Sequence, residues 1–288
     1  MRNKENYKNI NQDFFQTVDN ESSAYFCGFI FADGSISKDG NRLSIQLQER
    51  DIEILDSLKQ LLNVTMDLTI RSIKEKKYYR LSVYNKKIKD DLMKLGITPD
   101  KTKNPILPNI KDDMFWHFLR GFTDGDGTIY FKNKRTSWSL VCHTNIAIEL
   151  KKKIEDKTGI HVTIQDHWRT DYIRTLSING NYNCYRFMNL LYSNSTAYLS
   201  RKYQKYKQFV TFYENMKSEA VKKKFIGIEE TSSGKFSSSL KVKNKKYYLG
   251  LFDTQLDAAN AYDKKIDEMK INRLKNSDIR NFNHFLES

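Results

Sequence analysis

The sequence predicts an α+β fold, a pseudo-two-fold pair of αββαββα repeats followed by a small three-stranded sheet backed by one helix. Three observations predict it. Two short segments, Phe26 to Ile36 and Leu119 to Ile129, follow one pattern: an apolar run with an early Gly, a small residue four places on, then Asp-Gly, a hydroxyl residue and Ile. The stretches after each copy carry strand-like and helix-like periodicities in the same order. All three prolines, Pro99, Pro105 and Pro108, fall between the copies, which marks an extended linker.

The elements follow in chain order. The first copy reads as a helix ending at Asp33. Arg42 to Gln48 alternates Leu43, Ile45 and Leu47 with polar residues, a strand pattern. Asp51 to Leu62 reads as a helix with Asp51 as its cap. Strands are expected at Asp67 to Arg71 and Tyr79 to Tyr84, then a helix from Lys87 to Leu95 that stops at Gly96. The second half repeats this order: strands at Thr128 to Lys132 and Trp138 to Cys142, a helix from Asn145 to Lys157 before Gly159, strands at His161 to His167 and Tyr172 to Ile178, and a helix from Tyr182 to Tyr192. The implied organisation is a first repeat over 13–97, a linker over 98–111, a second repeat over 112–210, a basic connector over 211–223 and a third region over 224–275. That last region holds strand patterns at Phe225 to Glu229, Lys235 to Val242 and Lys246 to Leu251, and a helix from Thr254 to Met269.

The duplicated segment carries the chemistry. Gly28 and Ala32 share one helix face, as do Gly121 and Gly125, and small residues at that spacing let two helix backbones pack closely. Such packing brings Asp33 and Asp126 together at two helix C-termini, where partial negative charge and a like-charged neighbour both disfavour an acid. A divalent cation offsets that cost, polarises a phosphate oxygen and lowers the pKa of a water. Asp33 and Asp126, with the adjoining Ala32 and Gly125, are therefore the candidate metal positions, and oxygen ligands favour Mg²⁺ with Mn²⁺ as substitute. A calcium loop at Asp124 to Thr128 is excluded, because its glycine would fall on Ile129 and its closing acid on Arg135.

The two copies resemble the paired signature of LAGLIDADG homing endonucleases in their single-chain, two-repeat form. Against that signature the copies are Phe26 to Gly34 and Leu119 to Gly127, with Phe31 standing where the signature has its first acid. The resemblance covers roughly residues 13 to 210. It implies a site-specific endonuclease that hydrolyses one phosphodiester on each strand of double-stranded DNA, with Asp33 and Asp126 as metal-binding acids. It also implies basic residues near the reacting phosphates, at Lys101 in the first half and Lys202 in the second. Gln48 resembles a polar residue that orders water, and its second-half counterpart falls on Cys142. A non-cleaving DNA-binding regulator or an intron RNA maturase of the same fold is the alternative. Both acids argue against it, since a pure binder needs neither.

The third region, from Phe225-Ile226-Gly227-Ile228 through Tyr248-Leu249-Gly250-Leu251-Phe252 to Ala258-Ala259-Asn260-Ala261-Tyr262, is similar to the plant Apetala-type (ethylene-response-factor) DNA-binding domain. That resemblance implies a sheet laid in a DNA groove. Alternation sets Lys235, Ser237, Ser239, Lys241 and Lys243 on one face, joined by Lys246 and Tyr248, with Phe236, Leu240 and Val242 against the helix. Lysines and hydroxyls suit phosphate contacts. Glu229 and Thr231 stand where that family tends to carry arginines.

Composition agrees with a nucleic-acid partner. The formal net charge of +14 favours a polyanion through counterion release. Cys27, Cys142 and Cys184 are odd in number and far apart, which fits reduced thiols rather than a disulfide frame or zinc site. The five histidines have no paired metal-ligand spacing, and no Walker loop, dinucleotide fingerprint or nucleophile elbow is present. No apolar run approaches membrane-spanning length and the N-terminus lacks a signal-peptide core, so an intracellular, by default cytoplasmic, location is expected, and the internal repeat predicts a monomer.

Overall fold

The structure is a computed structural model and describes residues 9–99, 105–167, 170–221, 225–242 and 245–269. Helix α1 (Glu21–Asp33) leads into β1 (Gly34–Ile36) and β2 (Arg42–Gln48). Next come α2 (Ile52–Leu61), β3 (Thr69–Ile73), β4 (Lys76–Tyr84) and α3 (Lys86–Lys94). The order then recurs as α4 (Phe115–Asp126), β5 (Gly127–Lys132), β6 (Arg135–His143), α5 (Thr144–Thr158), β7 (Thr163–Asp166), β8 (Ile173–Asn179) and α6 (Asn181–Tyr192). Helix α7 (Ser200–Val221) precedes β9 (Ile228–Glu230), β10 (Phe236–Val242), β11 (Lys245–Phe252) and α8 (Gln255–Glu268). The two repeats build antiparallel sheets of matching order, β1-β2-β4-β3 and β5-β6-β8-β7. A duplicated sequence pattern has thus produced a duplicated topology.

The chain divides into two compact units. The first comprises 1–130, 137–179 and 186–206, and the second 131–136, 180–185 and 207–288. Helices α1 and α4 form the centre of the first unit. From Ser23 to Phe31 every residue of α1 is buried, so this helix is a core element on all sides rather than an amphipathic one. Its packing against α4 is set by two glycines. A Cβ on Gly28 would lie 2.0 Å from the Phe118 carbonyl oxygen, and one on Gly121 would lie 1.9 Å from that of Tyr25. Only glycine allows backbones this close. Each sheet adds apolar residues to the same core: Leu43, Ile45, Leu81 and Val83 from the first, Trp138, Leu140, Leu176 and Ile178 from the second.

One expected cap is not made. Asp51 stands at the N-terminus of α2 but makes no capping hydrogen bond. Its carboxylate instead accepts from Arg201 Nε at 2.7 Å and Nη2 at 3.1 Å, a bidentate charged pair stronger than a neutral cap bond.

In the second unit, β9, β10 and β11 form a sheet of order β11-β10-β9. Phe225, Ile228, Leu240, Ala258, Ala259, Tyr262 and Ile266 make its core with α8. A bulge shifts the β10–β11 register between Ser238 and Ser239. Gly250 takes the slack with φ +129°. This shift turns Leu251 outward and Phe252 toward the helix. Tyr185 also stacks on Tyr213 in this unit, with ring centroids 4.4 Å apart.

Candidate metal centre and nucleic-acid interface

Asp33 and Asp126 are the last residues of α1 and α4, and both are exposed. The small residues one step earlier make this possible. A Cβ on Gly125 would lie 2.3 Å from the Ala32 Cβ and 3.3 Å from Asp33 Oδ2. The Asp33 carboxylate therefore lies over the last turn of the opposite helix. Asp126 faces a cleft of about 350 Å³ lined by Ala32, Pro105, Cys142, His143, His167 and Thr170 among others. Burial and then Asp126 push the Cys142 thiol up to about 12, which makes it an inert neutral neighbour.

Lys202 lies beside this centre, 4% exposed. Its Nζ donates to the carbonyls of Thr123 at 2.6 Å, Asp124 at 2.8 Å and Gly127 at 2.6 Å. An ammonium has three donors, and all three satisfy carbonyls at the C-terminus of α4. Burial draws its pKa down to about 8 against the upward pull of Asp124, Asp33 and Asp126. Lys202 thus serves as a C-terminal cap within the field of both exposed acids. Its expected first-half partner, Lys101, lies outside the described residues, as does Lys243 of the third region.

Gln48 is the last residue of β2, half-buried, and donates from Nε2 to Tyr78 Oη at 3.4 Å. Cys142 is buried, whereas the strand-end position in the second sheet belongs to His143, whose Nδ1 accepts from the Asn145 amide. The two halves differ at this level.

A buried cluster around Asp124 escaped the sequence reading. Asp124 is 1% exposed and its carboxylate accepts from Tyr25 Oη at 2.9 Å, Tyr192 Oη at 2.6 Å and the Leu199 amide at 2.8 Å. Burial raises its pKa, while Lys202 and the three donors oppose the rise. Beside it Arg120, 1% exposed, donates to the carbonyls of Ala197 and Leu191 and to Glu21. Glu21 in turn accepts from the Thr196 and Ala197 amides. Glu53 accepts from the Ser200 amide and hydroxyl at the start of α7, where helix N-termini favour an anion. These contacts fasten residues 191–202 to both central helices and to α2. The same signature position in the first copy is Phe31, which instead packs on the Phe122 and Phe118 rings at 5.0 and 6.0 Å. Tyr25 on one side and Tyr192 with Leu199 on the other lie far from Asp124 in sequence, so only the presence of a second acid in one copy hinted at this cluster.

The donor set suits a hard, partly hydrated cation. Among the described residues no group of three His, Cys, Asp or Glu side chains could hold a metal. Asp33 and Asp126 are the candidate oxygen donors, and Mg²⁺ is commonly held by one or two carboxylates with water and phosphate oxygens in its remaining positions. A zinc-type closed site does not fit.

In the second unit the outer sheet face pairs Ser239 with Tyr248 and Lys241 with Lys246. Lys241 and Lys246 are exposed like charges directly opposite each other, an arrangement that costs stability unless an anion joins them. Tyr248 is 64% exposed and Leu251 53%. Lys235 pairs with Asp253 at 2.9 Å, and Ser237 Oγ donates to the Glu229 carbonyl. Both are therefore engaged within the chain.

Residues 20–103 match the LAGLIDADG-like domain family. The chain is also similar to solved structures at low identity. One is the LAGLIDADG homing endonuclease I-GzeII in complex with its DNA target, at 15% identity over 75% of this chain and 94% of that one, with a TM-score of 0.48. Another is the meganuclease I-SmaMI bound to uncleaveable DNA, at 15% identity over 69% and 90% with a TM-score of 0.48. A third is full-length DUF199/WhiA from Thermatoga maritima, at 14% identity over 73% and 71% with a TM-score of 0.46. No curated protein matches the sequence. Among the described residues no helix is long and apolar enough to cross a membrane.

Proposed function

We propose that this chain is a site-specific endonuclease of double-stranded DNA, acting as a monomer with Mg²⁺ or Mn²⁺. The observation that carries the reading is the pair of exposed acids at the ends of two helices in backbone contact. A helix C-terminus carries partial negative charge that disfavours a carboxylate, and a divalent cation would offset that cost. The matched LAGLIDADG-like domain over residues 20–103 and the net charge of +14 support the same conclusion. Asp33 and Asp126 would hold the cation, with backbone oxygens at Ala32 and Gly125 beside them. The bound ion would supply Lewis-acid stabilisation of the phosphate and a more acidic water. Lys202 keeps the end of α4, and so Asp126, in one position. Gln48, with Tyr78, offers hydrogen bonds that orient water near the first acid. Lys101 is proposed as the first-half basic residue.

The third-region face built from Lys241, Lys246, Ser239 and Tyr248 would add phosphate contacts to the same duplex and raise the effective concentration of the catalytic unit. A regulator that binds without cutting would have no use for both exposed acids, so that reading ranks second.

The test starts from a randomised duplex library incubated with the protein and Mg²⁺, with the cut ends sequenced. On the resulting target, Asp33→Asn and Asp126→Asn should each reduce cleavage at least a thousandfold while binding stays within about threefold. Persistent cutting by either variant would refute the assignment.

A further inference from the structure

The strand register fixes which side chains share the outer face of each repeat's sheet, and the two faces differ in chemistry. On the first sheet Gln46 stands opposite Arg80 and Arg80 opposite Thr69. One row along, Gln48 faces Tyr78 and Tyr78 faces Arg71. In the other direction lie Ser44 with Ser82, then Arg42 with Tyr84. The opposite face of these strands is the buried set of Leu43, Ile45, Leu81 and Val83. Arg42, Arg71 and Arg80 therefore share one polar face, and none of them makes an ion pair among the described residues. On the second sheet the corresponding face carries Arg135, Ser137, Ser139, Val141 and His143 of β6, Thr175 and Ser177 of β8, and Thr163 and Gln165 of β7, so hydroxyls predominate there and its one arginine stands at the start of β6. Arg174 falls on the other side, level with buried Cys142, where it pairs with Asp166 and donates to the carbonyls of Asp171 and Ile173.

Arg80 is held in a particular way. Its Nε and Nη2 both donate to Gln46 Oε1, at 3.1 and 2.5 Å. One edge of the guanidinium is thereby anchored to the neighbouring strand, and Nη1 makes no hydrogen bond among the described residues. A guanidinium fixed along one edge keeps the outer pair of nitrogens for an acceptor pair, and the O6 and N7 edge of guanine in the major groove is the base edge that matches it. Gly34 pairs with Ile45, so the Gln46–Arg80 row is level with Asp33, on the inner side of this half of the face.

We infer that Arg80, positioned by Gln46, reads a guanine in the half-site beneath the first sheet, and that the hydroxyl-rich second sheet reads its half-site with much weaker base preference. This inference rests on duplex DNA as the partner but not on cleavage. Serine and threonine hydroxyls accept or donate to any base, so they discriminate poorly compared with a bidentate fork.

The experiment is a selection of bound duplexes from a randomised library by the full-length chain in EDTA, so that no cut is made. The expected motif is asymmetric, with a strongly preferred guanine on the inner side of one half-site. Arg80→Ala should lower the preference for that base about tenfold or more and leave the other positions unchanged. Gln46→Leu should relax the same position while the arginine charge, and with it the salt dependence of binding, is retained. Gln46→Glu, which keeps an acceptor for the guanidinium, should restore the preference. A loss of affinity equal for all sequences in Gln46→Leu would mean a structural role only and would overturn the inference. So would a symmetric motif, a guanine preference that survives Arg80→Ala, or no enriched motif at all. A protein that gives the asymmetric motif yet never cuts in Mg²⁺ would leave this inference standing and remove the endonuclease reading.

Discussion

Gly121→Ala tests the feature on which the centre is built. The new Cβ would lie 1.9 Å from the Tyr25 carbonyl oxygen and 2.9 Å from the Phe29 amide nitrogen. Ordinary contact needs about 3.4 Å, so α1 and α4 must part by about 1.5 Å. Both obstructing atoms are backbone, and no rotamer change relieves them. Overpacking in a well-filled core costs 1–3 kcal/mol and sometimes more, and an immovable neighbour puts this case near the top, at about 3 kcal/mol. For a unit of this size that is a fall of roughly 6–12 °C in Tm. Urea titration followed by tryptophan fluorescence is a direct assay, because Trp138 is fully buried and donates to Thr123 Oγ1 of α4. Gly159→Ala is the control: its φ of +67° is left-handed, but no atom lies within 4 Å of the added Cβ. It should cost only about 1 kcal/mol through backbone conformation. If Gly121→Ala is no less stable than Gly159→Ala, the close approach of the two helices is wrong.

Other expectations follow from the polar contacts. Lys202→Met leaves three carbonyls at the end of α4 without donors, and should cost about 3 kcal/mol in urea denaturation; a change under about 1 kcal/mol would argue against the cap. At Glu21, burial raises the carboxyl pKa, but the Ala197 and Thr196 hydrogen bonds and Arg120 outweigh it and hold the group below 4.5. Its stabilisation is therefore complete above the unfolded value of 4.5 and fades as pH falls through the lower folded value. Glu21→Gln should make the stability profile less steep below about pH 4.5, and an unchanged acid limb would count against the assignment. Replacing Lys241 and Lys246 together with Ala should stabilise the sheet slightly by removing like-charge opposition, while the slope of log K against log salt for DNA falls by nearly two units. An unchanged slope would take these lysines off the phosphate contacts.

The sequence made the architecture legible because the fold is a repeat. Periodicity located β2 and β6, Gly96 and Gly159 marked the ends of α3 and α5, and Gly28 with Gly121 announced a close helix pair. What stayed hidden depends on partners distant in the chain. Asp51 looked like a cap from its local setting, but Arg201 supplies a charged partner that no local pattern reveals. The Asp124 cluster joins residues from three separate segments. The Gln46–Arg80 pairing needs a register, and alternation alone fixes a face without fixing which residues stand opposite. The bulge at Gly250 likewise follows from pairing and not from composition.

The contrast between Asp124 and Phe31 has a broader meaning. Two identical subunits meeting across a symmetry axis would have to carry the same residue at both places. Two buried acids would each demand a private set of donors, and two phenylalanines would leave the approach to α7 without its anchor. Joining both halves in a single polypeptide lifts that constraint. One half can specialise in fastening the segment before α7, and its twin can fill space with aromatic rings, without either choice being imposed on the other.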